Sequence, residues 1–187
     1  MTNYNDSEAT AWASAIYSAL RAESNDLAAA PMAAYMKHNF SFLGIPKPLR
    51  AEIQRTHWAE RPKKSAAIDA IHPLWALPFR EAQYVALDLL KSESKFWSPE
   101  EALPALEYWI TTQSWWDSVD TLAVHGAGAL LKRYPEAFWP RIQQWIYADN
   151  LWLNRTAMIA QLGFRTETRT EWLDEALGAH TESKEFF

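Results

Sequence analysis

The segment SWWDSVDTLAVHG, residues 114–126, places two tryptophans beside two carboxylates in one predicted helix. Ser114 and Asp117 have the spacing of a capping box, with Ser114 at the N-cap and Asp117 at the third helical position, so Asp117 has a structural reason to be present. Asp120 lies one turn further along and gains much less from the helix dipole. Because Trp116 precedes Asp120 by four residues, the two side chains share a face of the helix and are the candidates for chemistry.

A repeated pattern relates this helix to two other parts of the chain. The segments PLWALPFREAQYVALDLL, QSWWDSVDTLAVHGAGALL and DNLWLNRTAMIAQLGF each begin with a Trp-bearing turn and continue as an apolar helix. Each carries a charged residue early in the helix, and these residues, Arg80, Asp120 and Arg155, are spaced by 40 and 35 positions. That period is typical of stacked helical hairpins of the HEAT type, which form a solenoid with a concave face. The three charged residues are predicted to line that face.

Helical periodicity dominates the whole sequence and predicts about ten helices and no strands. Only 5 of 187 residues are glycine, and 11 are tryptophan. Most tryptophans, Trp115 included, fall on apolar stripes and are expected in the core, whereas Trp75 and Trp152 are candidates for lining the concave face. The predicted fold is therefore all-α, a HEAT-like helical-repeat solenoid (an α-α superhelix) that forms a single domain over residues 1–187.

Composition and charge limit the classes of protein that fit. No apolar run reaches the length of about 18 residues that suggests a membrane span, and the N-terminus lacks the pattern of a signal peptide. The absence of cysteine excludes disulfides and thiolate metal sites, and it fits a cytoplasmic protein without requiring one. The five histidines show no metal-ligand spacing, so no metal site is expected. The net charge of −5 argues weakly against nucleic acid, yet residues 47–64 carry six Lys or Arg against two Glu. A basic face is therefore compatible with the acidic total.

An exposed Trp–Asp pair between arginines suits one particular chemistry. Arginine grips phosphodiester oxygens bidentately, an indole face packs on a sugar or a cation, and a carboxylate stabilises a developing positive charge. A cationic sugar beside phosphates forms when the N-glycosidic bond of a nucleotide breaks. One alternative stays open, because a salt bridge from Asp120 to Arg155 or Arg80 would explain the carboxylate without any chemistry.

Five blocks occur in order along the chain: AAPMAAYMKHNFSFLGIPKPLR, LWALPFREAQYVALDLL, SWWDSVDTLA, NLWLNRTAMIAQL and ESKEFF. Together they resemble the AlkD-like DNA alkylation repair family, from about Ala28 to the last residue. The resemblance implies an all-α HEAT-like solenoid with a basic concave groove for double-stranded DNA. It also implies a glycosylase that releases N3- and N7-alkylated purines without a metal or cofactor and, unlike most glycosylases, without base flipping. The chain is expected to be a monomer.

The resemblance assigns roles to individual residues. It implies that Asp120 is the catalytic carboxylate, that Trp116 packs against the deoxyribose of the lesion, and that Arg155 lies near the backbone of the lesion. The pattern of charges and the resemblance thus select the same Asp120 and Arg155.

A second set of residues is predicted to contact DNA. Tyr35 matches a family segment that does so, as do Pro46 and Lys47 of the GIPKP turn. Arg50 of the basic segment and Arg80 of the charged row are added to this set.

The end of the sequence departs from the family pattern. ESKEFF continues in the family into a further helix with a second catalytic Trp, whereas this sequence stops at Phe187. The last repeat is therefore expected to be incomplete, with Phe186 and Phe187 on its uncovered apolar face.

The alternative function is a HEAT-like scaffold that binds nucleic acid or protein without chemistry.

Overall fold

The computed structural model describes residues 6–184, with side chains from residue 8 onward. Within that range the chain forms ten helices and no strand, and an isolated bridge pairs Ser41 with Phe79. The all-α helical-repeat prediction is confirmed. Phe186 and Phe187, predicted on an apolar face, lie outside the described residues. The chain divides into two compact units, 1–89 and 90–187, and its organisation as a single repeat domain stays a prediction.

Five helices begin in the first unit. They are α1 (Asp6–Ala22), α2 (Asp26–Tyr35), α3 (Lys47–His57), α4 (Ala66–Ala76) and α5 (Arg80–Glu93), with a 3-10 turn at Trp58–Glu60 after α3. Helix α1 packs on α3 and α4, and Trp12, Ile16 and Leu20 are buried along its inner face at helical spacing. Each such side chain contributes about 1.5–3 kcal/mol of hydrophobic stabilisation.

Five further helices form the second unit. They are α6 (Pro99–Thr111), α7 (Trp116–Thr121, continued as a π-helix over Leu122–Ala127 and as an α-helix over Gly128–Arg133), α8 (Pro135–Ile146), α9 (Leu151–Ile159) and α10 (Thr170–Gly178). Trp97, Trp109 and Trp145 form part of the core of this unit, as expected of most tryptophans. None of the helices in the described residues is both long and apolar enough to cross a membrane.

The start of α7 differs from the prediction. Trp115, in extended conformation, is the N-cap residue, and no side chain caps the helix. The hydroxyl of Ser114 instead donates a hydrogen bond of 2.6 Å to the carbonyl of Ile110 in the last turn of α6. The predicted capping box of Ser114 and Asp117 is therefore wrong, because the short connection between α6 and α7 leaves the hydroxyl beside the preceding helix.

Candidate functional site

Asp120 of α7 and Arg155 of α9 form a bidentate ion pair. Nε of Arg155 lies 2.6 Å from Oδ1 of Asp120, and Nη2 lies 2.8 Å from Oδ2. Two parallel charge-assisted hydrogen bonds of this kind fix the relative orientation of both groups. The side chains of Arg155 and Asp120 are 23% and 38% exposed, so the pair remains accessible to a ligand. The salt bridge that the sequence left open as an alternative is thus present.

Close packing of α7 against α9 brings these two residues together. A Cβ on Gly128 would collide with the carbonyl oxygen of Ala160, just beyond the end of α9, so only glycine permits this approach. On the inner side of α7, Val119 and Leu122 are fully buried. Asp120 follows Val119 on the half-exposed side of the same helix.

Helix α9 is fixed at its own start by two asparagines. The side chain of Asn150 caps the helix by accepting hydrogen bonds from the amides of Trp152 and Leu153. The buried side-chain amide of Asn154 donates to carbonyl groups at and just beyond the end of α8, those of residues 145, 146 and 148. Because Arg155 is the next residue, these bonds define the place from which its guanidinium reaches Asp120.

The π-helical segment of α7 begins directly after the turn that carries Asp120. Leu122–Ala127 adopts this wider form, which is rare in proteins and frequent beside functional sites. The aromatic residues on either side of the site are half-buried. The rings of Trp115 and Trp152 lie 6.0 Å apart at 51°, and Trp116 is half-buried on the turn before Asp120. Trp115 is thus less buried than a core residue.

Two residues that were predicted to line the concave face are buried instead. Trp75 is 1% exposed and packs inside the first unit, so its candidacy is wrong. Arg80 is 0% exposed: its guanidinium lies 3.8 Å from the centre of the Phe40 ring and donates a hydrogen bond of 2.7 Å to the side chain of Gln83. The prediction that Arg80 lies on an exposed face is wrong, because a planar guanidinium can be buried when it stacks on a ring and keeps a hydrogen bond.

Arg50 is also largely buried, at 8% exposure. Its guanidinium lies 4.7 Å from the centre of the Tyr84 ring and 3.8 Å from the carboxylate of Asp88. Burial lowers the pKa of Arg50, and the charge of Asp88 opposes that change. Little of this side chain is available to a DNA backbone.

The remaining predicted DNA contacts in the first unit are exposed. Tyr35, the last residue of α2, is 73% exposed. Pro46 and Lys47 are exposed at the start of α3. These three residues stay candidates for contacts with a ligand.

Glu81 has a role that no sequence pattern indicates. An acidic residue in the first turn of a helix usually lies at the surface and interacts favourably with the helix dipole. Glu81 is instead 1% exposed and accepts hydrogen bonds from three backbone amides.

Among the described residues, no three His, Asp or Glu side chains come together as metal ligands would.

Comparisons with known proteins identify the family. The model of a family described as DNA alkylation repair enzyme matches residues 16–187. A solved structure described as a predicted DNA alkylation repair enzyme from Enterococcus faecalis is 32% identical, with a TM-score of 0.77, over 87% of this chain and 76% of that one. No curated protein is significantly similar. With the match covering most of its length, the chain belongs to the family of DNA alkylation repair enzymes.

Proposed function

We propose that this chain is a DNA glycosylase that releases purines alkylated at N3 or N7 by hydrolysing the N-glycosidic bond. Membership of a family of DNA alkylation repair enzymes supports a role in DNA repair. The observation that supports the specific proposal is the accessible Asp120–Arg155 pair, in which a carboxylate of fixed orientation lies beside a guanidinium, a group suited to binding phosphate.

The proposed chemistry uses the positive charge of the alkylated base. When the bond between C1′ and the base nitrogen breaks, its electron pair goes to the base, which leaves neutral, and the sugar becomes an oxocarbenium ion. Asp120 stabilises that cation as carboxylates do in glycosidases. Water then adds at C1′ and releases its extra proton to the solvent. Trp116 packs against the deoxyribose, and Arg155 orients Asp120 and binds a phosphate beside it. The lesion stays stacked, and neither metal nor cofactor takes part.

The direct test is release of 7-methylguanine from duplex DNA by the unaltered chain and by Asp120→Asn. We expect the substitution to lower the rate by on the order of 10²-fold, the cost of removing one electrostatic contact to a transition state. Asp117→Asn is the matched control, since it removes a carboxylate from the preceding turn of the same helix. Equal rates for Asp120→Asn and the unaltered chain would contradict the proposal.

A second candidate is a scaffold that binds nucleic acid or protein without chemistry. Two observations favour it: Asp120 already has a full structural partner in Arg155, and the net charge of the chain is −5. Under this proposal no base is released, and binding is equal for alkylated and plain duplexes. Affinity that hardly changes with salt would indicate a protein partner.

The proposal also covers the oligomeric state of the chain, its partner and its cellular compartment. The chain acts as a monomer on double-stranded DNA in the cytoplasm, with Tyr35, Pro46 and Lys47 at the duplex. Exposure of all three residues supports this assignment. Light scattering of the chain alone and with a short duplex measures the stoichiometry, and a stable dimer of the free chain would contradict it.

A further inference from the structure

The carboxylate of Glu81 organises the connection between α2 and α3. Its Oε2 accepts a hydrogen bond of 2.9 Å from the amide of Leu43, and its Oε1 accepts bonds of 2.9 and 3.1 Å from the amides of Gly44 and Ile45. A carboxylate with two acceptor oxygens satisfies three successive donors that would otherwise be buried without partners. The backbone of residues 43–45 is therefore held by one side chain.

The residues around this turn reinforce a single conformation. The amide of Arg80 donates to the carbonyl of Ser41 at 2.9 Å, so the first turn of α5 holds the preceding residues as well. Gly44 has a φ of 82°, and a Cβ there would collide with the carbonyl oxygen of Asn25. The amide of Asn25 in turn donates to the carbonyl of Leu43 at 2.7 Å. The turn is thus tied both to α5 and to the start of α2.

The turn leads directly into the exposed residues Pro46 and Lys47. We propose that Glu81 is a positioning residue that holds this turn so that Pro46 and Lys47 meet the phosphate backbone of DNA. Because Glu81 is buried, it would act through the turn and not by direct contact with DNA. This assignment rests on the proposed DNA-directed function. It also gives a reason for the buried carboxylate in the first turn of α5.

The test is a double-mutant cycle on affinity for an undamaged duplex, measured over a range of salt concentrations. Loss of one phosphate contact in Lys47→Ala is expected to lower the salt slope by about 0.9 and to weaken binding roughly five- to tenfold near 0.1 M salt. Glu81→Gln replaces one acceptor by a donor that opposes the amides of the turn. We expect it to produce a similar loss, and the double variant to bind no more weakly than either single variant.

Three controls make the outcome decisive. Glu60→Gln removes an exposed carboxylate of the same unit and is expected to leave affinity unchanged or slightly stronger. Circular dichroism verifies that each variant is folded. If Glu81→Gln does not fold, Glu81→Asp, which keeps the charge on a shorter side chain, takes its place and is expected to give an intermediate loss.

Two results would overturn the assignment. One is a folded Glu81 variant with unaltered affinity and salt slope, and the other is a loss that simply adds to that of Lys47→Ala. Failure of the proposed function is seen separately. A chain that binds duplex DNA but releases no alkylated base contradicts the chemistry and leaves the role of Glu81 intact, whereas a chain that binds no duplex contradicts both.

Discussion

Asp120 and Arg155 have two possible reasons to be paired, stability and chemistry, and these have different energetic consequences. Their side chains are 38% and 23% exposed, so water screens the attraction between them. Ion pairs in such positions usually contribute about 0–1 kcal/mol to the free energy of unfolding. A contact to a transition state is worth several times more, because it acts where charge develops. Under the proposed function, the pair therefore contributes more to catalysis than to stability.

A double-mutant cycle with Asp120→Ala and Arg155→Ala separates these reasons. We expect a coupling of at most about 1 kcal/mol in the free energy of unfolding, measured by urea denaturation. In base release, each single variant is expected to lose most of the activity, and the double variant little more. A coupling of about 3 kcal/mol or more in unfolding would assign the pair to stability instead.

Replacing Arg155 by lysine tests whether the planar geometry matters. Lysine keeps the charge but cannot make two parallel hydrogen bonds to Asp120. Arg155→Lys is therefore expected to release base at a rate between those of the unaltered chain and Arg155→Ala. Single-turnover kinetics measures this order, and a rate equal to that of the unaltered chain would show that charge alone is sufficient.

At the scale of elements, the contact between α7 and α9 depends on the glycine at position 128. Gly128 lets the backbones approach to the point where a methyl group has no room. Interiors are packed densely enough that one added carbon in such a place displaces the neighbouring backbone. The distance between Asp120 and Arg155 is therefore set partly by a residue that bears no side chain.

Gly128→Ala is expected to lower the free energy of unfolding by about 1–3 kcal/mol, the usual effect of overpacking. Gly178→Ala is the matched control: it lies at the end of α10, and a Cβ there would meet nothing within 4 Å. Since alanine favours a helix more than glycine does, that control is expected to be neutral or to gain up to about 1 kcal/mol. Urea denaturation measures both, and equal stabilities would show that α9 shifts freely.

Several features of these elements follow from the sequence, and others do not. Ser98 and Glu101 form a capping box at the start of α6, and the proline after Ser98 also favours a helix start, so the sequence acts locally there. Asp120 and Arg155 lie together, as the repeat spacing suggested. Arg80 does not follow its pattern, because stacking on Phe40 is a tertiary contact that periodicity does not report. The capping box predicted for Ser114 is wrong for a similar reason, since its hydroxyl donates a hydrogen bond to the preceding helix.

At the scale of the whole molecule, the sequence must reconcile a net charge of −5 with a DNA partner. Exposed cations occur along the whole described chain. Within the basic segment 47–64, Lys47, Arg55, Lys63 and Lys64 are exposed, whereas Arg50 is buried. Affinity for DNA depends on the number of phosphates that are neutralised locally rather than on total charge. Binding to duplex DNA is therefore expected to weaken steeply with salt.

The salt dependence of binding measures this number. The logarithm of the association constant is expected to fall linearly with the logarithm of salt concentration, by about 0.9 for each phosphate contacted. Lys63→Ala together with Lys64→Ala tests the contribution of the exposed loop, and a decrease in slope would include that loop in the interface. A slope near zero for the unaltered chain would indicate a partner other than nucleic acid.

The closed ion pair also has a kinetic consequence. With Asp120 and Arg155 paired, the negative charge of the carboxylate offsets the positive charge of the guanidinium that would meet a phosphate. Asp120→Asn removes the negative member, so the inactive variant is one unit more positive at the place where the backbone of the lesion would rest. It is expected to dissociate more slowly from alkylated DNA than the active chain does. An enzyme that has lost its chemistry would then remain on the lesion and shield it from other repair enzymes.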